Sequence, residues 1–100
     1  MTWLDKLIEL LCELLKVLDG DCAELEGDSS DPETVIDAIE ESYNPNNPPQ
    51  PSGNSQQGEW CLLFSDIEAH LDRPENSLSQ VYDAKLRGIV DGLQAAVGCP

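Results

Sequence analysis

A chain of 100 residues carries 20 acidic side chains against five basic ones, a formal charge of −15. One core organises about 100 to 200 residues, so this length holds one domain at most. Nucleic-acid binding relies on Lys and Arg displacing counterions from phosphates, and anionic membranes likewise attract cations, so the charge excludes both as direct ligands.

The first predicted element is a helix. Thr2 is placed as its N-cap with Asp5 three residues on, a pattern that satisfies exposed amides and complements the helix dipole. Two apolar series follow at alternating spacings of four and three: Leu4, Ile8, Leu11, Leu15, Leu18 and Trp3, Leu7, Leu10, Leu14, Val17. Together they cover more than half of the circumference and leave a polar strip of Asp5, Lys6, Glu9, Glu13, Lys16 and Asp19. One neighbouring helix cannot shield so wide a face, which raises the expectation of a homodimer through Trp3, Leu7, Leu10, Leu14 and Val17. A central helix in a monomeric bundle is the plainer alternative. Gly20 is positioned to adopt the left-handed conformation that ends the helix.

Residues 27–30 read as loop, and Asp31-Pro32-Glu33 restarts the chain as a second helix to about Tyr43, with Asp as cap and Pro in the first turn. Its stripe is Val35, Ile36, Ile39 and Tyr43, while Asp37, Glu40 and Glu41 face outward without any Lys or Arg to pair with them. Residues 44–58, rich in Pro, Asn, Gln, Ser and Gly, bury too little surface to offset ordering and read as a flexible linker. Beyond Gly58, Trp60, Leu63, Phe64, Ile67 and Leu71 mark a third helix. Pro74 separates it from a fourth, capped at Ser77, with Leu78, Val81, Tyr82, Leu86, Ile89, Val90, Leu93 and Val97 as its stripe and Gly98 as its end. Gly88 and Gly92 are spaced to admit a close neighbour inside the domain. The expected fold is thus all-α, a small bundle of about four helices with a disordered Pro/Asn-rich linker between the second and third. Its parts are an N-terminal helical hairpin over 1–43, the linker over 44–58, and a C-terminal helical hairpin over 59–100 packing on the first.

Cys12, Cys22, Cys61 and Cys99 form no C-x-x-C pair and fit neither a zinc site nor a dense disulfide framework. Free thiols are the expectation, with Cys12 and Cys61 as small apolar packers and Cys22 and Cys99 as the accessible pair for a thiol switch. Asp5, Glu9 and Glu13 interrupt any apolar region of a signal peptide, and no apolar run nears the roughly 20 residues of a membrane span, so a cytoplasmic protein is expected. The single His70 does not make a triad with Asp66, and nine residues of helix separate it from Cys61. The acidic stretch from Asp19 to Asp31 lacks the ligand alternation, central Gly and terminal Glu of an EF-hand loop. No metal, cofactor or enzymatic activity is expected.

A strongly negative field attracts basic protein surfaces, hastening encounter in a salt-sensitive way. The functional expectation is therefore a non-enzymatic acidic module that occupies a basic surface of a protein partner. Nuclease immunity proteins and phage-encoded inhibitors resemble it in charge and architecture alone, which suggests an inhibitor or immunity-type role against a nucleic-acid-handling enzyme. The contact residues would be Asp19, Asp21, Glu24, Glu26, Asp28, Glu33, Asp37, Glu40 and Glu41. A homo-oligomeric scaffold or assembly adaptor using the leucine-rich helix is the alternative, with the acids serving solubility or salt adaptation only.

Overall fold

A computed structural model describes residues 2–20, 22 and 31–99, and among these it contains four helices and no strand. Helix α1 (Trp3–Val17) starts where the Thr2 hydroxyl accepts the Asp5 N–H at 3.1 Å. It closes with two backbone bonds, Asp19 N–H to Lys16 C=O at 3.0 Å and Gly20 N–H to Leu15 C=O at 2.8 Å. These are the paired bonds of a Schellman cap. The left-handed residue of that cap is Asp19 (φ 66°), one position before the expected Gly20. A Cβ at Gly20 would lie 2.7 Å from Leu15 Cδ1, so a larger residue there has to displace the Leu15 side chain.

Helix α2 (Pro32–Ser42) begins as the sequence indicates, Asp31 accepting the Glu33 N–H at 3.1 Å. Helix α3 (Asn54–Leu71) starts a full turn earlier than expected, so residues 54–58 belong to it and the non-helical connection is correspondingly shorter. Two polar bonds account for the difference, one local and one distant: Ser52 N–H donates to Gln56 Oε1 at 2.6 Å, and Gln57 Nε2 donates to the Val97 carbonyl at 2.8 Å. Composition alone assigns those amides to water. Helix α4 (Gln80–Val97) is capped by Ser79 rather than Ser77, the Ser79 hydroxyl accepting the Tyr82 N–H at 3.4 Å. Gly98 ends it in the left-handed conformation at φ 84°.

The helices form a ring in which α1 packs on α2 and α3, and α4 packs on α3 and α2. Side-chain contacts fix their directions. Trp3 meets His70, so the start of α1 lies by the end of α3, while Cys61 bonds to Cys99, so the start of α3 lies by the end of α4. Lys85 reaches Asp37 and Glu40, and Tyr43 lies against Gly92, so α2 runs parallel to α4. Hence α1, α2 and α4 share one direction and only α3 opposes them. Helices α1 and α2 are therefore parallel neighbours.

This arrangement encloses the wide face of α1. Leu7, Leu11 and Leu14 are fully buried, and Trp3, Leu10, Leu15 and Leu18 nearly so, against Val35, Ile36 and Ile39 of α2 and Phe64, Ile67 and Leu71 of α3. Each such side chain contributes about 1.5–3 kcal/mol relative to leaving it in water. Trp3 and His70 stack with ring centroids 5.0 Å apart and bond reciprocally: Trp3 Nε1–H donates to the His70 carbonyl at 2.9 Å, and His70 Nε2–H donates to the Trp3 carbonyl at 2.8 Å. That pair satisfies polar groups which would otherwise be buried unpaired at the bundle's end.

All four cysteines are bridged, Cys12 to Cys22 and Cys61 to Cys99, which corrects the expectation of free thiols and of a Cys22–Cys99 pair. Their sequence separations of 10 and 38 correspond, by loop-closure entropy, to about 3 and about 4 kcal/mol of stabilisation. The bridges tie the exit of α1 back to its middle and the tail of α4 to the first turns of α3.

Of the two glycines in α4, Gly92 lies under the Tyr43 hydroxyl, whereas nothing lies within 4 Å of a Cβ built on Gly88. Gly88→Ala is expected to raise stability by about 1 kcal/mol in denaturant titration, the helix-propensity gain alone. Gly92→Ala should forfeit that gain in the native background and recover it alongside Tyr43→Phe, which removes the obstructing oxygen. An equal gain at both positions without Tyr43→Phe would show that the contact carries no cost.

Candidate functional site

Residues expected to contact a partner separate into distinct places. Asp37 and Glu40 share one cation: Lys85 Nζ of α4 lies 3.6 Å from Asp37 Oδ1 and 3.4 Å from Glu40 Oε2. The acidic stripe of α2 therefore has a basic partner after all, supplied from another helix rather than its own. Tyr82 adds to the cluster, its hydroxyl donating to Asp37 at 3.2 Å and its ring lying 4.8 Å from Lys85 Nζ. Burial works against the Lys85 charge, but Glu40 and Asp37 outweigh it and hold the ammonium above its ordinary pKa. The bond to Asp37, chiefly, pushes the Tyr82 phenol up as well. These pairs are solvent-accessible, so water and salt screen them and they add little to stability.

Glu33 stands half-buried in the first turn of α2, and Glu41 is exposed at its far end. Asp19 lies near that far end too, beside Ser42 and Asn44. The structure thus gathers Asp19 and Glu41 at one end of the bundle and leaves Glu33 at the other. Asp21, Glu24, Glu26 and Asp28 fall outside the described residues. Other acids are held elsewhere: Asp72 and Asp83 both bind Arg87 at 3.0 Å, linking the end of α3 to α4.

Trp3, Leu7, Leu10 and Leu14, expected to form an oligomer interface, are covered by the chain's own α2 and α3, and Val17 is half-buried. The ground for inferring that interface, a face too wide for one companion, is met by two companions from the same chain. Exposed large apolar side chains are instead Leu62 at 64%, Val81 at 68% and Leu4 at 38%.

A concavity that no sequence pattern singled out lies at the end where α1 finishes and α3 begins. It has a volume of about 580 Å³ and is lined by Glu13, Lys16, Asp19, Glu59 and Trp60, with Pro49 of the α2–α3 connection. The helical spacing of Trp60 predicts a core position, and the side chain does pack against the core while remaining partly open. Finding the site needed the antiparallel register of α1 on α3, which periodicity does not contain. Glu59 beside Trp60 was the only hint.

Negative charge also crowds the α3–α4 seam. Burial, then the neighbouring Asp91 carboxylate, pushes the Glu68 carboxyl above its ordinary value of 4.5, Arg87 opposing and Asp72 adding to the rise. Its Oε1 is enclosed without a hydrogen-bond partner. A carboxyl whose pKa is higher folded than unfolded favours the fold when protonated, and that contribution is lost as pH rises from 4.5 through the raised value. Glu68→Gln should accordingly raise the melting temperature at neutral pH, the advantage shrinking to nothing below about pH 4. A lower melting temperature at neutral pH would show that the ionised carboxylate is favourable there.

No family model, curated protein or solved structure matches this chain.

Proposed function

We propose that this chain is a non-enzymatic binding module that lays its acidic surface on a basic surface of another protein. The observation that carries the reading is the charge of −15. Only five cations oppose it, and Lys85 and Arg87 are each engaged with two carboxylates of the same chain. A field of that sign steers basic partners and repels nucleic acids. The narrowest form of the reading is an inhibitor or immunity-type protein against a nucleic-acid-handling enzyme, since a groove built to hold phosphates also accepts carboxylates.

Two bridges favour an oxidising compartment over the reducing cytoplasm that the acid-interrupted N-terminal helix had suggested. The homo-oligomeric scaffold gains no support from the surface, as the leucines it would use are enclosed. The same chain can present acids to a target as a single copy.

The test is affinity capture from lysate of the producing cell, at low and then high salt, with the bridges kept oxidised. Retained proteins are expected to be basic and to be released by salt, because the exposed charges that recruit them are screened beyond about 10 Å at 0.1 M. Retention confined to neutral or acidic proteins that resist salt would overturn the reading.

A further inference from the structure

The groove between the end of α1 and the start of α3 combines two kinds of chemistry. Glu13, Asp19 and Glu59 contribute three carboxylates to its lining, and Lys16 is the one cation among them. Trp60 adds an indole that is anchored in the core on one side and partly open on the other. An aromatic ring attracts a cation through its quadrupole, and carboxylates bind the N–H groups of that same cation. An anion would meet repulsion here, and a purely apolar ligand would leave the carboxylates desolvated without partners.

The indole is also held from a firm base. The Cys61–Cys99 bridge follows Trp60 directly, and the Gln57 amide on the preceding turn donates to the Val97 carbonyl at 2.8 Å. Preorganisation of this kind lowers the ordering cost of binding. A volume of about 580 Å³ exceeds what a single small cation needs and lies in the range of clefts that take ligands of side-chain size or larger.

We propose that this groove is the anchoring site of the module and takes an arginine side chain from a basic segment of the partner protein. Arginine suits it better than lysine, because a planar guanidinium stacks on indole and engages a carboxylate with two bonds at once. The inference rests on the reading of the chain as an acidic binding module and adds where on the surface the partner is gripped. The face of α2 then contributes attraction at a distance, its Asp37 and Glu40 already engaged by Lys85.

The experiment is titration of nitrogen-labelled protein with octa-arginine peptide, following the two indole N–H signals. Trp60 is expected to shift saturably, while Trp3, buried and bonded to the His70 carbonyl, stays in place as an internal control. Glu13→Gln with Glu59→Gln, both exposed positions, should weaken binding about tenfold. Glu33→Gln with Glu41→Gln removes the same charge from α2 and should weaken it no more than about threefold. Equal weakening by the two pairs, or an unmoved Trp60 signal, would overturn the groove and leave the charge-based reading standing. Failure of octa-arginine to bind in low salt would overturn both. Octa-lysine binding as tightly as octa-arginine would overturn the choice of guanidinium.

Discussion

Covering the apolar face of α1 is the constraint on which the other features depend. Two interleaved series of large side chains make that face too broad for one helix, and the chain answers with α2 on one side and α3 on the other. Beside α1, α2 runs in the same direction and α3 in the opposite one. The fourth helix completes the ring by covering what α2 and α3 leave open, with Leu86, Val90 and Leu93 fully buried.

Small domains bury a modest share of their surface and stand close to instability, so covalent ties matter more than in large ones. Here each bridge has one cysteine inside a helix and the other just beyond a helix end. The first bridge holds Cys22 against α1, and the second holds Cys99 against α3. The Trp3–His70 pair performs the corresponding task without a covalent bond at the opposite end. Both termini of the helical core are thereby fastened to α3, the one helix that opposes the rest.

The charge falls on what this packing leaves outside. Some carboxylates are engaged in pairs around Lys85 and Arg87, and some, such as Glu68, sit where ionisation is disfavoured. Others line the groove around Trp60 or stand free along α2. The molecule thus presents acid in two settings, a solvated stripe suited to long-range attraction and a concave site with an aromatic wall suited to close contact.

Helix number, the caps at Thr2, Asp31 and Gly98, and most of the core were legible in the sequence, because apolar periodicity and capping chemistry are local. Apart from shifts of one or two residues at the caps of α1 and α4, the misplaced features depend on partners distant in the chain. The start of α3 rests on Gln57 reaching Val97, the neutralisation of Asp37 on Lys85, and the oxidation of Cys61 on Cys99. An even number of cysteines was the available signal for bridges, and the absence of a recognised spacing outweighed it. The groove was invisible for the same reason as the bridges, since Glu13 and Trp60 meet only after α1 and α3 have docked.

The claim beneath all of this is that one copy of the chain suffices to keep the leucine face of α1 from water. Thermal unfolding of the oxidised protein over about a hundredfold range of concentration tests it directly. The midpoint should not move with concentration. A midpoint that climbs as the protein is concentrated would mean that a second copy is part of the fold, and would contradict the account.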